Sequence, residues 1–143
     1  MGLSIVAARL SFGCLMSGIL LVDDHHIARH TVRKLLHANA LSVCGEAEDG
    51  QQALDQVKAL DPELVLLDIN MPVMNGIAAA FEIRRIAPAT KILFLTVNEC
   101  TPEAEAAVRL LGAHGFVSKS CAGTELVPTL KRLLNGQERR PLP

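Results

Sequence analysis

Three short apolar runs constrain this chain more than any other feature: Ile19-Leu20-Leu21-Val22, Leu64-Val65-Leu66-Leu67 and Ile92-Leu93-Phe94-Leu95. Each is continuous rather than alternating, which describes a strand covered on both faces, as in a parallel sheet beneath helices. Leu41-Ser42-Val43-Cys44 alternates more and Phe116-Val117 is short, so both suit the edges of such a sheet. Helical stripes separate the runs. Ala28, Val32, Leu35 and Leu36 form the first, and Ala53, Leu54, Val57 and Leu60 follow the Asp49-Gly50 turn. Ala79, Ala80, Ile83 and Ala87 form a third, with Ile77 and Phe81 defining a competing face, and it ends before Pro88. The fourth opens with Thr101 as N-cap and Pro102 at the first position, with Glu103 and Glu105 near the positive end of the helix dipole. Its stripe is Ala104, Ala107, Val108 and Leu111, closed by Gly112. Leu126, Leu130, Leu133 and Leu134 make the last helix, which ends near Gly136.

Five strands alternating with five helices give an α/β fold of (βα)5 type. Its right-handed crossovers put helices on both faces of one parallel sheet. At 143 residues the chain suits one domain with a core that needs no disulfide or structural metal. Residues 17–136 carry the pattern, so residues 1–16 are expected to be a non-native or disordered extension and residues 137–143 a frayed tail. Arg9 interrupts the weak apolar stretch at the start, which fits a signal peptide poorly, and Met16 stands just ahead of the first strong strand. No apolar run approaches the ~20 residues needed to cross a bilayer.

A net charge of −1 argues against a nucleic-acid or membrane-surface protein driven by bulk charge. Four Phe with no Trp or Tyr offer little to stack on bases or sugars. Cys14, Cys44, Cys100 and Cys121 have no CxxC or CxxH spacing, so they are expected to be small buried thiols in a reducing, cytoplasmic setting.

In an open parallel α/β sheet, ligands sit at the carboxyl ends of the strands. Here the first run ends in Asp23-Asp24, the third strand in Asp68, the fourth in Thr96 and the fifth in Ser118-Lys119, while Glu46 and Glu48 end the second nearer the margin. Taken singly each has a plainer role; Asp24, for one, could cap the helix beginning near His26. Together they form a chemical set. Three crowded carboxylates repel one another, and a hard divalent cation such as Mg2+ relieves that repulsion. A carboxylate beside such a cation can attack a phosphoryl group, with Thr96 donating to a phosphoryl oxygen and Lys119 pairing as a point charge. There is no Gly-rich loop to hold a nucleotide.

The segments Leu21-Val22-Asp23-Asp24-His25, Leu66-Leu67-Asp68-Ile69-Asn70-Met71-Pro72, Leu95-Thr96 and Gly115-Phe116-Val117-Ser118-Lys119 resemble the receiver domain of bacterial response regulators, most closely the NarL/FixJ-type branch. The resemblance implies a flavodoxin-like three-layer sandwich with sheet order 2-1-3-4-5. It also implies Asp68 as phosphoacceptor and Mg2+ or Mn2+ bound by Asp24, Asp68 and the Asn70 backbone carbonyl, with Asp23 acting through a metal-bound water. Thr96 becomes the switch hydroxyl, Lys119 its cationic partner and Phe116 the aromatic that turns inward. Asn70 and Asn98 are expected to shape water access and so the phosphoryl lifetime.

The implied partners are a histidine kinase or histidine phosphotransferase, a downstream effector protein or DNA-binding domain, and a phosphorylation-dependent second copy. Nothing in this chain reads nucleic acid, since no helix-turn-helix follows Gly136 and Arg139-Arg140 are no substitute. Either the chain stands alone or it is a receiver fragment of a transcriptional regulator. Such a domain is no enzyme beyond Mg-dependent self-phosphorylation and self-dephosphorylation. A haloacid-dehalogenase-type Mg-dependent phosphatase also uses a strand-end Asp, but needs an acid where Asn70 stands.

Four positions depart from the family pattern. Val97 is bulky beside the site, Ile69 replaces a Trp found in some receivers, and Ser120 follows Lys119 where Pro is common. Pro128 predicts a late start or a bend in the last helix. His25, His26 and His30 cluster at the first helix; His26 and His30 have the i, i+4 spacing of a weak transition-metal pair, while His25 adjoins the acidic pocket.

Overall fold

The computed structural model describes residues 18–97 and 102–136. Thr101, Asn98, Cys14, Cys100 and both terminal segments lie outside them. The strands are β1 (Gly18–Val22), β2 (Ser42–Ala47), β3 (Leu64–Asp68), β4 (Lys91–Thr96) and β5 (Phe116–Ser118). The helices are α1 (His26–Ala38), α2 (Gly50–Leu60), α3 (Gly76–Ile86), α4 (Pro102–Leu111) and α5 (Ala122–Leu134), with a 3-10 turn at Lys119–Cys121 before α5. All pairings are parallel and the strand order is β2-β1-β3-β4-β5. Both weak strands, β2 and β5, lie at the edges as their composition implies.

Strand side chains alternate between faces, and here both faces are dry. Leu20, Val22, Val65, Leu67, Ile92 and Phe94 pack under α2, α3 and α4. Ile19, Leu21, Leu64, Leu66, Leu93 and Leu95 pack under α1 and α5. This two-sided burial is why the three central runs carry no polar residue until their ends.

The competing faces of α3 are resolved by burial. Ala79, Ala80 and Ile83 are fully buried, whereas Phe81 is 55% exposed. Asp49 caps α2 by accepting from Gln52 N at 2.8 Å, and Asn75 caps α3 by accepting from Ala78 N at 2.9 Å. Gly112, at φ +71°, ends α4 in the left-handed conformation.

Three expectations need correction. β2 continues to Ala47, because its edge position asks less of its residues than a central strand does, and Glu46 lies inside it. Pro128 neither delays nor ends α5, which begins at Ala122 and runs through it; the ring sits on the exposed face, clear of the core. Cys44 and Cys121 are exposed rather than buried, since one lies on the edge strand and the other in the turn before α5.

Candidate functional site at the carboxyl edge of the sheet

Register builds the site. Val22 pairs with Leu67, so Asp23 emerges level with Asp68, which pairs with Leu95; Thr96 is one residue further along β4, opposite Ser118. Lys119 follows Ser118 and reaches back across β4. Its ammonium lies 2.7 Å from Asp23 Oδ2 and 3.4 Å from Asp68 Oδ2. Asp23, Asp68 and Thr96 are all buried.

The loop after β3 shapes the floor. Asn70 N donates to Asp68 Oδ1 at 3.1 Å, and Gly76 N donates to Ile69 O at 2.8 Å. A Cβ at Gly76 would stand 2.1 Å from the Asp68 carbonyl oxygen, so only glycine lets α3 start this close to the strand end. On the other side, His25 N donates to Asp23 Oδ1 at 2.9 Å, and His25 Nδ1 lies 3.0 Å from Asp24 Oδ1. The N-cap of α1 is His25, without a side-chain cap bond, so Asp24 is not occupied with capping.

Oxygen atoms of Asp23, Asp24 and Asp68 and a ring nitrogen of His25 all lie within 4.8 Å of one another. Asp23 Oδ2 is buried, with the Lys119 ammonium beside it at 2.7 Å. A hard divalent cation matches this cluster, being drawn to crowded carboxylates.

Electrostatics follow from burial. Desolvation pushes the Asp68 carboxyl up from 3.8 to about 6; the Lys119 charge and the Asn70 N–H oppose the rise, and the Asp23 charge adds to it. For Lys119, burial works downward, yet the two carboxylates outweigh it and the net direction is upward. The site thus holds a permanent cation beside a carboxylate that is reluctant to ionise.

The remaining expected positions are less central. Phe116 opens β5 opposite Phe94, half-buried against the α4 side of the core. The Val97 side chain is 56% exposed at the rim. His26 and His30 are exposed on α1, and His30 Nδ1 faces Arg33 at 3.4 Å. Glu46, near the margin of the sheet, accepts from Arg29 Nε at 3.0 Å and Arg33 at 2.9 Å. Nothing in the local sequence distinguishes Arg29 from solvated helix surface. Only 7% exposed, it donates to the Asp23 carbonyl at 2.8 Å and so pins the β1–α1 loop to β2.

The fold is thus a three-layer parallel sandwich with an acidic strand-edge pocket and a lysine across it. The profile described as "Response regulator receiver domain" matches residues 19–131, and the chain belongs to that family. It is 36% identical over 123 residues to the response regulator UvrY of Escherichia coli O6:H1, a match covering 85% of this chain and 56% of that protein. It is also 35% identical over 119 residues to Protein CcdB of Bacillus subtilis, covering 83% of this chain and 98% of the relative. Among solved structures, a LuxR-family two-component response regulator from Aurantimonas sp. SI85-9A1 superposes with a TM-score of 0.79 at 34% identity, covering 89% of both chains. The chain spans little more than half the length of UvrY-type and NarL-type relatives. Among the described residues no helix is long and apolar enough to cross a membrane.

Proposed function

We propose that this domain accepts a phosphoryl group on Asp68 from a histidine kinase or histidine phosphotransferase, and signals the change through the β4–α4–β5 face. The observation that carries the reading is Asp68 itself: a buried carboxylate at the end of β3, held through Oδ1 by Asn70 N and through Oδ2 by Lys119. An Asp68 oxygen attacks phosphorus, the bond to the donor nitrogen or oxygen breaks, and the donor leaves with that electron pair. Lys119 neutralises charge building on the transferred oxygens. Asn70 N keeps the other carboxylate oxygen occupied, which fixes the orientation of the attacking one. Asp23, Asp24, Asp68 and the Asn70 carbonyl would hold Mg2+ or Mn2+, which supplies positive charge to the in-flight phosphoryl group.

The product carries about two negative charges at the edge of the sheet. Thr96 on β4 donates to a phosphoryl oxygen, and Phe116 on β5 turns into the space behind it. The new packing is presented to an effector, a DNA-binding domain or a second copy in the cytoplasm. Proteins of UvrY and NarL type are longer than this chain; a receiver fragment of such a regulator and a stand-alone receiver use this same chemistry.

Incubation with Mg2+ and a small-molecule phosphodonor, followed by intact mass, tests the reading. One added phosphoryl group is expected on wild type and none on Asp68→Asn. Unlabelled wild type, under conditions that label a control receiver, would overturn it.

A further inference from the structure

The strand-edge pocket contains one group that the phosphoryl-transfer reading leaves idle. His25 follows the acid pair, is 70% exposed, and brings Nδ1 to 3.0 Å from Asp24 Oδ1 and 3.6 Å from Asp23 Oδ1. Its backbone N–H is already fastened to Asp23 at 2.9 Å, so the residue is positioned at both its backbone and its ring. Ligands at adjacent corners of an octahedron with bonds of about 2.1 Å are about 3.0 Å apart. The Nδ1–Asp24 contact is a hydrogen bond at 3.0 Å, and the same separation suits two neighbouring ligands of one cation.

From this juxtaposition of an imidazole nitrogen with three carboxylates, we infer that His25 is a nitrogen ligand of the pocket's cation and biases it toward a borderline first-row transition metal over Mg2+. The inference rests on the pocket binding a divalent cation at all. Its chemistry is that of ligand hardness. Carboxylates alone suit Mg2+, whereas an imidazole raises affinity along the first-row series toward Co2+ and Ni2+. On binding, the Nδ1 lone pair takes the metal and the ring proton resides on the solvent-facing Nε2.

Isothermal titration of the full chain with Co2+ and, separately, Mg2+ tests this, with visible absorption of Co2+ reporting nitrogen ligation. Wild type is expected to bind Co2+ more tightly than Mg2+. His25→Ala should lose on the order of tenfold in Co2+ affinity and shift its absorption, with Mg2+ affinity changed less than about twofold. The double variant His26→Ala/His30→Ala should keep the wild-type preference. Equal weakening of both cations in His25→Ala would overturn the inference, as would a Co2+ to Mg2+ affinity ratio that this variant leaves unchanged or that the double variant loses. If neither cation binds wild type, the divalent-cation reading itself falls; if Mg2+ binds and Asp68 is phosphorylated without a His25-dependent Co2+ preference, only the inference about His25 falls.

Discussion

The two ends of this one sheet use the same residue types to opposite effect. At the amino edge, three polar side chains that reach inward meet backbone carbonyls. Thr90 donates to Pro62 at 3.2 Å, Lys91 to Leu133 at 2.7 Å, and Arg84 to Leu111 at 3.0 Å, Pro88 at 2.7 Å and also Gly112. At the carboxyl edge, Asp23, Asp68 and Lys119 meet one another, with the Lys119 ammonium 2.7 Å from the buried Asp23 Oδ2. Satisfied polar groups hold a fold together, while mutually dependent charges held in a dry site store a demand that an incoming cation or phosphoryl group can meet. The difference separates the scaffold from the switch.

The largest effect expected from breaking that contrast comes from Asp68. A carboxyl whose folded pKa lies above its unfolded value binds its proton more tightly when folded. Its stabilising contribution is therefore complete below 3.8 and lost as pH rises through about 6. At pH 7.5 without divalent cations, wild type carries a buried carboxylate that folding disfavours. Asp68→Asn is then expected to be more stable by roughly 2–3 kcal/mol, falling to about 1 kcal/mol near pH 4.5. Urea unfolding followed by circular dichroism measures it, since a chain without Trp or Tyr offers no such fluorescence. A variant less stable than wild type at pH 7.5 would mean that the Lys119 pairing, not desolvation, governs this site.

Why one edge was legible in the sequence and the other was not follows from the same physics. Asp23, Asp24, Asp68, Thr96 and Lys119 each interrupt or terminate an apolar run, and a parallel sheet brings such ends together. The three central strands were equally legible, because burial on both faces forbids polar residues within them. Arg84 and Arg29 were not. Each lies in a helix among other polar residues and reads as solvated surface, and only the tertiary path of the carbonyls around it reveals its work. The extent of β2 was hidden for a related reason: Glu46 at its end is tolerated by Arg29 and Arg33 from α1, which no local pattern announces. Pro128 does not delay α5, which begins at Ala122, because its ring sits on the exposed face.

An intermediate effect is expected from Arg84→Ala. The guanidinium ties the end of α3 to the carbonyls closing α4 and leading into β4, and removing it leaves those acceptors to water. A loss of about 2 kcal/mol in unfolding free energy is expected, with phosphoryl uptake on Asp68 intact. Loss of uptake at unchanged stability would place Arg84 in the switch instead of the scaffold.

The smallest effect tests the contrast most directly, because it sets lysine against lysine. Lys91 donates to the last turn of α5, and Lys119, across the sheet, lies between two carboxylates. Lys91→Ala removes a charged donor from a helix C-terminus and is expected to cost about 1 kcal/mol, with the uptake rate unchanged. Lys119→Ala deletes the only ammonium that touches Asp23 and Asp68 among the described residues, so the Asp68 carboxyl loses its chief opposing charge and rises further above 6. Uptake at pH 7 then slows, because no cation from the chain faces the transferred oxygens. Pairing the two variants in one assay separates the edges: equal slowing in both would make the lysines interchangeable fold supports, and the division between scaffold and switch would fail.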